Sequence, residues 1–214
     1  MAESGRGLEA SSGSVAVDFA GWAALLLLGT RAATPEGLAS MNGSLLVREA
    51  TLADLDFVVA VHSQARAAYY GAGGIALDVI RDPAVEQQQR SGWTTSLQSS
   101  EKRVLCAVTD DQVVGIAAMG PPLSSDVDAR VVGQLYQIHV VPNRWRSGIG
   151  SALHSAFVSF LADASLRTGL LEVWERNTRA QAFYAKHGWK PDGKRRGGGP
   201  DNSEYLYFRL KAEE

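Results

Sequence analysis

Residues 140–151 read Val-Val-Pro-Asn-Arg-Trp-Arg-Ser-Gly-Ile-Gly-Ser. Upstream, residues 134–141 (Gln-Leu-Tyr-Gln-Ile-His-Val-Val) are rich in β-branched and aromatic side chains, and Pro142 ends the run, so this is a strand. Downstream, Ile149, Leu153, Ala156, Phe157, Phe160, Leu161 and Ala164 recur at helical spacing, which makes a long helix with one wide apolar face. The stretch is therefore a strand–loop–helix junction. Gly148 and Gly150 let the backbone turn tightly and let a ligand approach without a Cβ in the way. The first four amides of the helix have no internal partner and carry the positive end of the helix dipole. With Arg144 and Arg146 beside them, they form a site for a phosphate or pyrophosphate.

Two familiar phosphate loops do not fit. A P-loop needs Lys-Ser/Thr after its last glycine, where Ser151-Ala152 stand. The dinucleotide fingerprint needs a third glycine where Leu153 stands, and an early βαβ unit that is missing.

Working outward, strand and helix signals alternate from Met41 onward. Residues 45–47 form a short first strand, and Thr51 with Asp54 three residues on makes a capping box. Leu55, Val58, Val59 and Tyr69 predict an amphipathic helix over 53–68, broken by Gly71, Gly73 and Gly74. A polar helix is expected over 84–97. Residues 103–109 and 112–119 form a hairpin across Asp110-Asp111. Residues 121–128 are an exposed loop, and 169–174 is a strand. Asn177 caps a short helix holding Ala180, Phe183 and Tyr184, with Gly188 at its end. Two last strands, around Trp189 and over 204–210, flank the Gly197–Pro200 loop. The class is α/β (α+β), with a mixed, mostly antiparallel sheet flanked by helices.

Composition narrows the function. The chain has 214 residues, 45% of them hydrophobic and 21% charged, with a net charge of −2. That is one domain plus a tail, and the absence of a basic excess argues against nucleic acid or a membrane surface as partner. The single cysteine, Cys106, forms no internal disulfide and builds no thiolate metal cluster, so no metal is expected and the place is cytoplasmic. Residues 1–40 carry four acidic and two basic side chains, leaving 19 of each sign in 41–214. We read 1–40 as a weakly ordered extension and 41–214 as the domain. The apolar run 19–29 is too short to span a membrane, and Glu3, Glu9 and Asp18 spoil the basic start of a signal peptide.

A two-glycine loop between a strand and a long helix is the acetyl-CoA loop pattern. In order and separation, Ile138-His139-Val140-Val141-Pro142, Trp145-Arg146-Ser147-Gly148-Ile149-Gly150 and residues 177–189 (NTRAQAFYAKHGW) resemble the motifs of the GNAT superfamily of N-acetyltransferases, of the small single-domain bacterial type. A weaker match is residues 67–71 with Trp93, similar to the substrate-side helices of a bacterial subgroup. The resemblance covers residues 45–210. One departure is Trp145, where the family usually has Gln or Arg; the indole is expected to pack, with Arg144 or Arg146 supplying the charge.

The resemblance implies a V-shaped cleft between the fourth and fifth strands, where 138–140 splay from 171–174. Acetyl-CoA would be co-substrate, its pantetheine arm on the backbone of Ile138, His139 and Val140 and its pyrophosphate on the amides of Arg146, Ser147, Gly148, Ile149, Gly150 and Ser151. Asn177 serves as cap, or as a contact to the pantetheine arm. Tyr184 would be the catalytic acid for the departing thiolate, suited by a phenol that stays protonated at pH 7; otherwise it packs beside Phe183. The general base is open between Tyr136, His139, Glu172, Glu175 and water, because Gln134 stands where several relatives carry Glu. His62, His154 and His187 read as surface or core filler, and Cys106 as a buried strand residue. The implied function is acetyl transfer to a primary amine of a small molecule or peptide by direct attack in a ternary complex. A non-catalytic acetyl-CoA-binding sensor or interaction module is the alternative; a longer acyl group and a homodimer stay open. The acceptor would be set by residues 69–97 and 121–130.

Overall fold

The computed structural model describes residues 44–212 except Arg81. The extension expected over 1–40, with its apolar run, lies outside the described residues. Seven strands, β1 Leu46–Glu49, β2 Arg103–Thr109, β3 Gln112–Gly120, β4 Val132–Val140, β5 Thr168–Trp174, β6 Lys190–Arg196 and β7 Tyr205–Lys211, make one sheet in the order β1-β2-β3-β4-β5-β7-β6. All neighbours are antiparallel except β4 and β5. The helices are α1 Leu55–Ala72, α2 Leu77–Ile80, α3 Pro83–Gln98, α4 Ile149–Asp163 and α5 Thr178–Lys186.

The first helix is anchored at its start as its sequence implies. The Asp54 carboxylate accepts from the Thr51 amide at 2.8 Å and from its hydroxyl at 3.0 Å. Arg48 of β1 donates to both Asp54 oxygens, at 2.9 and 2.7 Å, so one carboxylate ties sheet to helix. The hydrogen bonds and charge of Arg48 hold Asp54 well below the usual carboxylate range.

At its other end α1 runs a turn beyond the expected 68. Tyr70 is buried with Ile75, Ile80 and Trp174, and Gly73 lies so close to the Trp174 ring that a Cβ would overlap it. Packing there outweighs the helix-breaking tendency of Gly71. The hairpin turn is as read, with Asp110 and Asp111 at φ 51° and 57°, the left-handed pair of a type I′ turn. β6 was expected only around Trp189. Its sequence, Lys-Pro-Asp-Gly-Lys-Arg-Arg, has no strand character, and it is held as the sheet's outer edge by β7.

The core lies on both faces of the sheet. Val58, Val59 and Trp93 bring α1 and α3 onto one face, while Ile149, Leu153, Phe157 and Leu161 bring α4 onto the other. The feature that positions the site is the pairing of β4 with β5. It covers only Val132↔Thr168, Gly133↔Gly169 and Gln134↔Leu170. Beyond it β5 stays paired with β7 along its whole length, while β4 stays with β3 across a bulge near Tyr136. The two strands part, as the V-shaped cleft requires.

Asp54→Asn will lower the melting temperature at pH 7. Because folding depresses the Asp54 pKa, its stabilisation is present above the unfolded value of about 4 and is lost as pH falls through the folded one. Melting curves from pH 7 to pH 2 will therefore show the wild-type advantage shrinking only below about pH 4.

Candidate active site

The parted strands open a cleft of about 1540 Å³ that passes through the sheet. On the α4 side it is lined by Arg146, Gly148, Gly150 and Ser151 and by Asn177, Phe183, Tyr184 and His187; on the α1 side by His62, Arg66, Tyr69, Tyr70, Gln88 and Trp93. Strand residues Tyr136 to Val140 and Glu172 to Trp174 line the gap between.

The loop has the donors its sequence implies. Arg146 and Gly148 are left-handed, at φ 68° and 88°, and Gly148 has open space where a Cβ would stand. The amides of residues 146–151 have no acceptor among the described residues; the first helical closure is Ala152 N to Gly148 O, 3.0 Å. Not every residue of this set faces the cleft. The Ile149 side chain is core, and the Ser147 hydroxyl donates to Arg144 O at 2.6 Å, so these two offer amides only. The Ser151 hydroxyl lies 3.1 Å from His187 Nε2.

Of the three β4 residues expected to offer backbone groups, only Ile138 keeps both. Val141 N donates to Val114 O across β3, so by alternation Val140 and Ile138 turn their N–H and C=O toward β5, and His139 turns its own toward β3. The Val140 carbonyl is already taken: the Trp145 indole donates to it at 2.7 Å. Trp145 was expected to pack; it also closes a strand end, while the Arg179 guanidinium lies over its ring. Arg179, which the sequence reading missed, thus joins Arg146 at this mouth. Arg144 is shared with Asp110, 3.7 Å away. Asn177 caps α5 through its side-chain oxygen, 3.1 Å from Ala180 N, and its NH₂ has no partner among the described residues.

Tyr184 is buried at the gap, its ring against Phe183 and Trp189, and its hydroxyl has no hydrogen-bond partner among the described residues. Burial pushes the phenol above its ordinary value.

Most of the candidate bases are engaged elsewhere. The Tyr136 hydroxyl donates to Pro121 O. Glu172 accepts from Arg196 Nε at 2.6 Å; Glu175, outside the cleft lining, accepts from Glu204 N at 3.0 Å. Gln134 is buried, and its oxygen accepts from Leu123 N at 2.8 Å, so it anchors the 121–131 loop. His139 faces the cleft, stacked on His62 with centroids 4.5 Å apart, and burial with the nearby Arg66 cation pushes its pKa down to about 3. Of the others, His187 lines the cleft beside Ser151, while His62 and His154 are buried and bonded to tryptophans. His62 Nδ1 accepts from Trp93 Nε1 at 2.9 Å and His154 Nε2 from Trp189 Nε1 at 2.8 Å; burial first, then the neighbouring His187, lowers His154 to about 4. Cys106 is buried in β2, its thiol pushed up to about 11 by burial.

Charge is the second property the sequence concealed. The cleft is lined by Arg66, Lys102, Arg144, Arg146, Arg179, Lys186 and Arg196 against a single carboxylate, Glu172. Among the described residues no group of three His, Cys, Asp or Glu is placed to hold a metal, and no helix is long and apolar enough to cross a membrane.

A mixed sheet parted at its one parallel pair, with unpartnered amides and cations at one mouth, makes a cleft whose chemistry suits an anionic ligand. The model of the Acetyltransferase (GNAT) family matches residues 75–189, and the chain belongs to that family. An uncharacterised N-acetyltransferase of Mycobacterium tuberculosis is 30% identical over 119 residues, 53% of this chain and 70% of that protein. One of Archaeoglobus fulgidus is 26% identical over 139 residues, 65% and 88% of the two chains. Among solved structures, the PaiA N-acetyltransferase of Thermoplasma acidophilum in complex with coenzyme A superposes with a TM-score of 0.63 at 17% identity, over 78% of this chain and 99% of that one. The ribosomal-protein-S18-alanine N-acetyltransferase of Escherichia coli gives 0.59 at 18% identity, over 80% and 96%. Both likenesses are of fold.

Trp145→Phe, which keeps the ring under Arg179 but removes the bond to Val140, will lower stability by about 1 kcal/mol in urea unfolding.

Proposed function

We propose that the domain over residues 41–214 transfers the acetyl group of acetyl-CoA to a primary amine, by direct attack in a ternary complex in the cytoplasm. The observation that carries this reading is the cleft itself: one passage through the sheet with free amides at one mouth, Tyr184 at the gap and the α1 and α3 side chains at the other mouth. In this reading the pyrophosphate rests on the amides of 146–151, with Arg146 and Arg179 beside it. The pantetheine arm runs along β4, where Ile138 N–H and C=O and Val140 N–H are its partners and the Asn177 NH₂ is a further donor. The pantetheine chain replaces the missing strand pairing beyond Gln134.

The amine lone pair attacks the thioester carbonyl carbon, and the tetrahedral adduct collapses as the C–S bond breaks. The electron pair leaves on sulfur, the product is an amide, and the proton lost from nitrogen balances the one gained by the thiolate. Tyr184 is the donor facing that sulfur. A phenol near 10 is a weaker acid than a thiol near 8.5, so complete transfer from it is uphill by about 2 kcal/mol before burial adds more. Tyr184 therefore works by donating a hydrogen bond to the developing thiolate, with net proton transfer completed as the adduct nitrogen loses its own proton. With Glu172, Glu175, Tyr136 and Gln134 engaged elsewhere and His139 a weak base, that proton passes to water.

Steady release of free CoA thiol with a panel of amines tests the reading; acetyl-CoA binding without release by any amine would make the domain a sensor. Tyr184→Phe will lower kcat at least tenfold while leaving acetyl-CoA affinity within twofold, and equal losses in both would remove Tyr184 from the reaction. Because burial holds Tyr184 protonated, the rate will rise with pH through the acceptor's amine pKa, with no falling limb below about pH 10.

A further inference from the structure

Arg66 is the anomaly of the cleft. It stands in α1, one turn beyond His62, and is 3% exposed. Its Nε and Nη1 are enclosed and have no hydrogen-bond partner, and no carboxylate pairs with it among the described residues. Nine other arginines of the domain, all more exposed, have a carboxylate within 4.0 Å. Among the described residues the Tyr70 ring, 4.5 Å from the guanidinium carbon, offsets part of that charge. An uncompensated buried cation is among the costliest features a fold can carry, so its persistence calls for a partner that arrives from outside.

The place says which partner. Arg66 lines the cleft on the α1 side, across the sheet from the 146–151 amides. It stands one turn beyond His62, whose ring stacks on His139 of the parted strand with centroids 4.5 Å apart. On this side α1 supplies the one buried cation, and the neighbouring α3 offers the neutral Gln87, Gln88 and Ser91. Of the other cations lining the cleft away from the 146–151 loop, Arg196 is paired with Glu172 and Lys102 lies over the Tyr136 ring, 5.5 Å from its centroid. A single guanidinium matches a monoanion in planar, two-pronged geometry, whereas a phosphomonoester near −2 calls for more positive charge.

We infer that Arg66 receives a carboxylate of the acceptor, so that the amine acetylated here is carried by a small amino-carboxylate; this deepens, and rests on, the acetyl-transfer reading above. The acceptor's carboxylate supplies the ion pair that Arg66 lacks, and docking on a buried arginine fixes the distance from carboxylate to nucleophile. Selectivity for the spacing between the two groups follows.

The test uses the full-length protein and acceptor pairs that share an amine and differ only in charge. These are glycine, β-alanine, γ-aminobutyrate and L-phenylalanine, each beside its carboxamide, with phosphoethanolamine as the phosphate arm. CoA release and ligand-induced melting shifts are read in parallel. At least one carboxylate is expected to exceed its carboxamide by about 10- to 100-fold in kcat/KM, and to raise the melting temperature where the carboxamide does not. Arg66→Met abolishes that preference, and Arg66→Lys restores part of it. Both variants are expected to keep acetyl-CoA binding, and Arg66→Met to melt no lower than the wild type because it removes an unpaired buried charge. Carboxylate-dependent, Arg66-dependent melting shifts without CoA release would sink acetyl transfer and leave the anion site standing. CoA release from carboxylates and carboxamides alike, unchanged in Arg66→Met, would overturn the anion site and leave acetyl transfer standing. Preference for phosphoethanolamine, or no carboxylate in the panel outdoing its carboxamide by either readout, overturns the inference as well.

Discussion

Everything at the site depends on β4 and β5 failing to stay paired. Parallel pairing needs both strands to keep one direction, and here each is committed to a different neighbour: β5 to β7 through all seven residues, β4 to β3 across the bulge near Tyr136. After Gln134 and Leu170 they diverge. Unpaired backbone inside a protein is costly, and the structure deals with it in part through its own residues. The Trp145 indole takes the Val140 carbonyl, while the Ile138 N–H and C=O stay turned toward the gap.

The two ends of the gap solve different problems. On the α4 side, charge is spread over backbone amides and exposed arginines, suited to a ligand whose phosphates remain partly solvated. On the α1 side a single arginine is enclosed among aromatic rings, where one ion pair is worth far more because water does not screen it. The net charge of −2 gives no hint of this division. The carboxylates lie mostly outside the cleft, paired with the other arginines, and Glu172 alone faces inward.

Two tryptophan–histidine bonds hold the layers on either side. Trp93 of α3 donates to His62 of α1, and Trp189, at the start of the last hairpin, donates to His154 of α4. Each requires a neutral imidazole, and burial keeps both histidines neutral. His62 in turn stacks on His139, so the floor of the cleft is set by a core contact.

Local chemistry carried much of this protein in plain sight. The Thr51–Asp54 box, the Asp110-Asp111 turn, the Asn177 cap, the Gly188 end and the 140–151 loop depend on residues a few positions apart, so sequence by itself determined them. It also placed the class, α/β with a mostly antiparallel sheet, and the family. Tertiary structure decided what depends on partners far along the chain. β6 is a strand only because β7 lies beside it, and α1 outruns Gly71 because Trp174 waits at its end. Glu172, Glu175 and Tyr136 looked available as bases until Arg196, Glu204 and Pro121 arrived to occupy them. Arg66 lay within reach of the sequence, since it falls at core spacing with Val58, Val59, His62 and Tyr70 on the buried face of α1. What periodicity does not tell is whether a buried cation has found its carboxylate, because that carboxylate can come from anywhere in the chain or from a ligand.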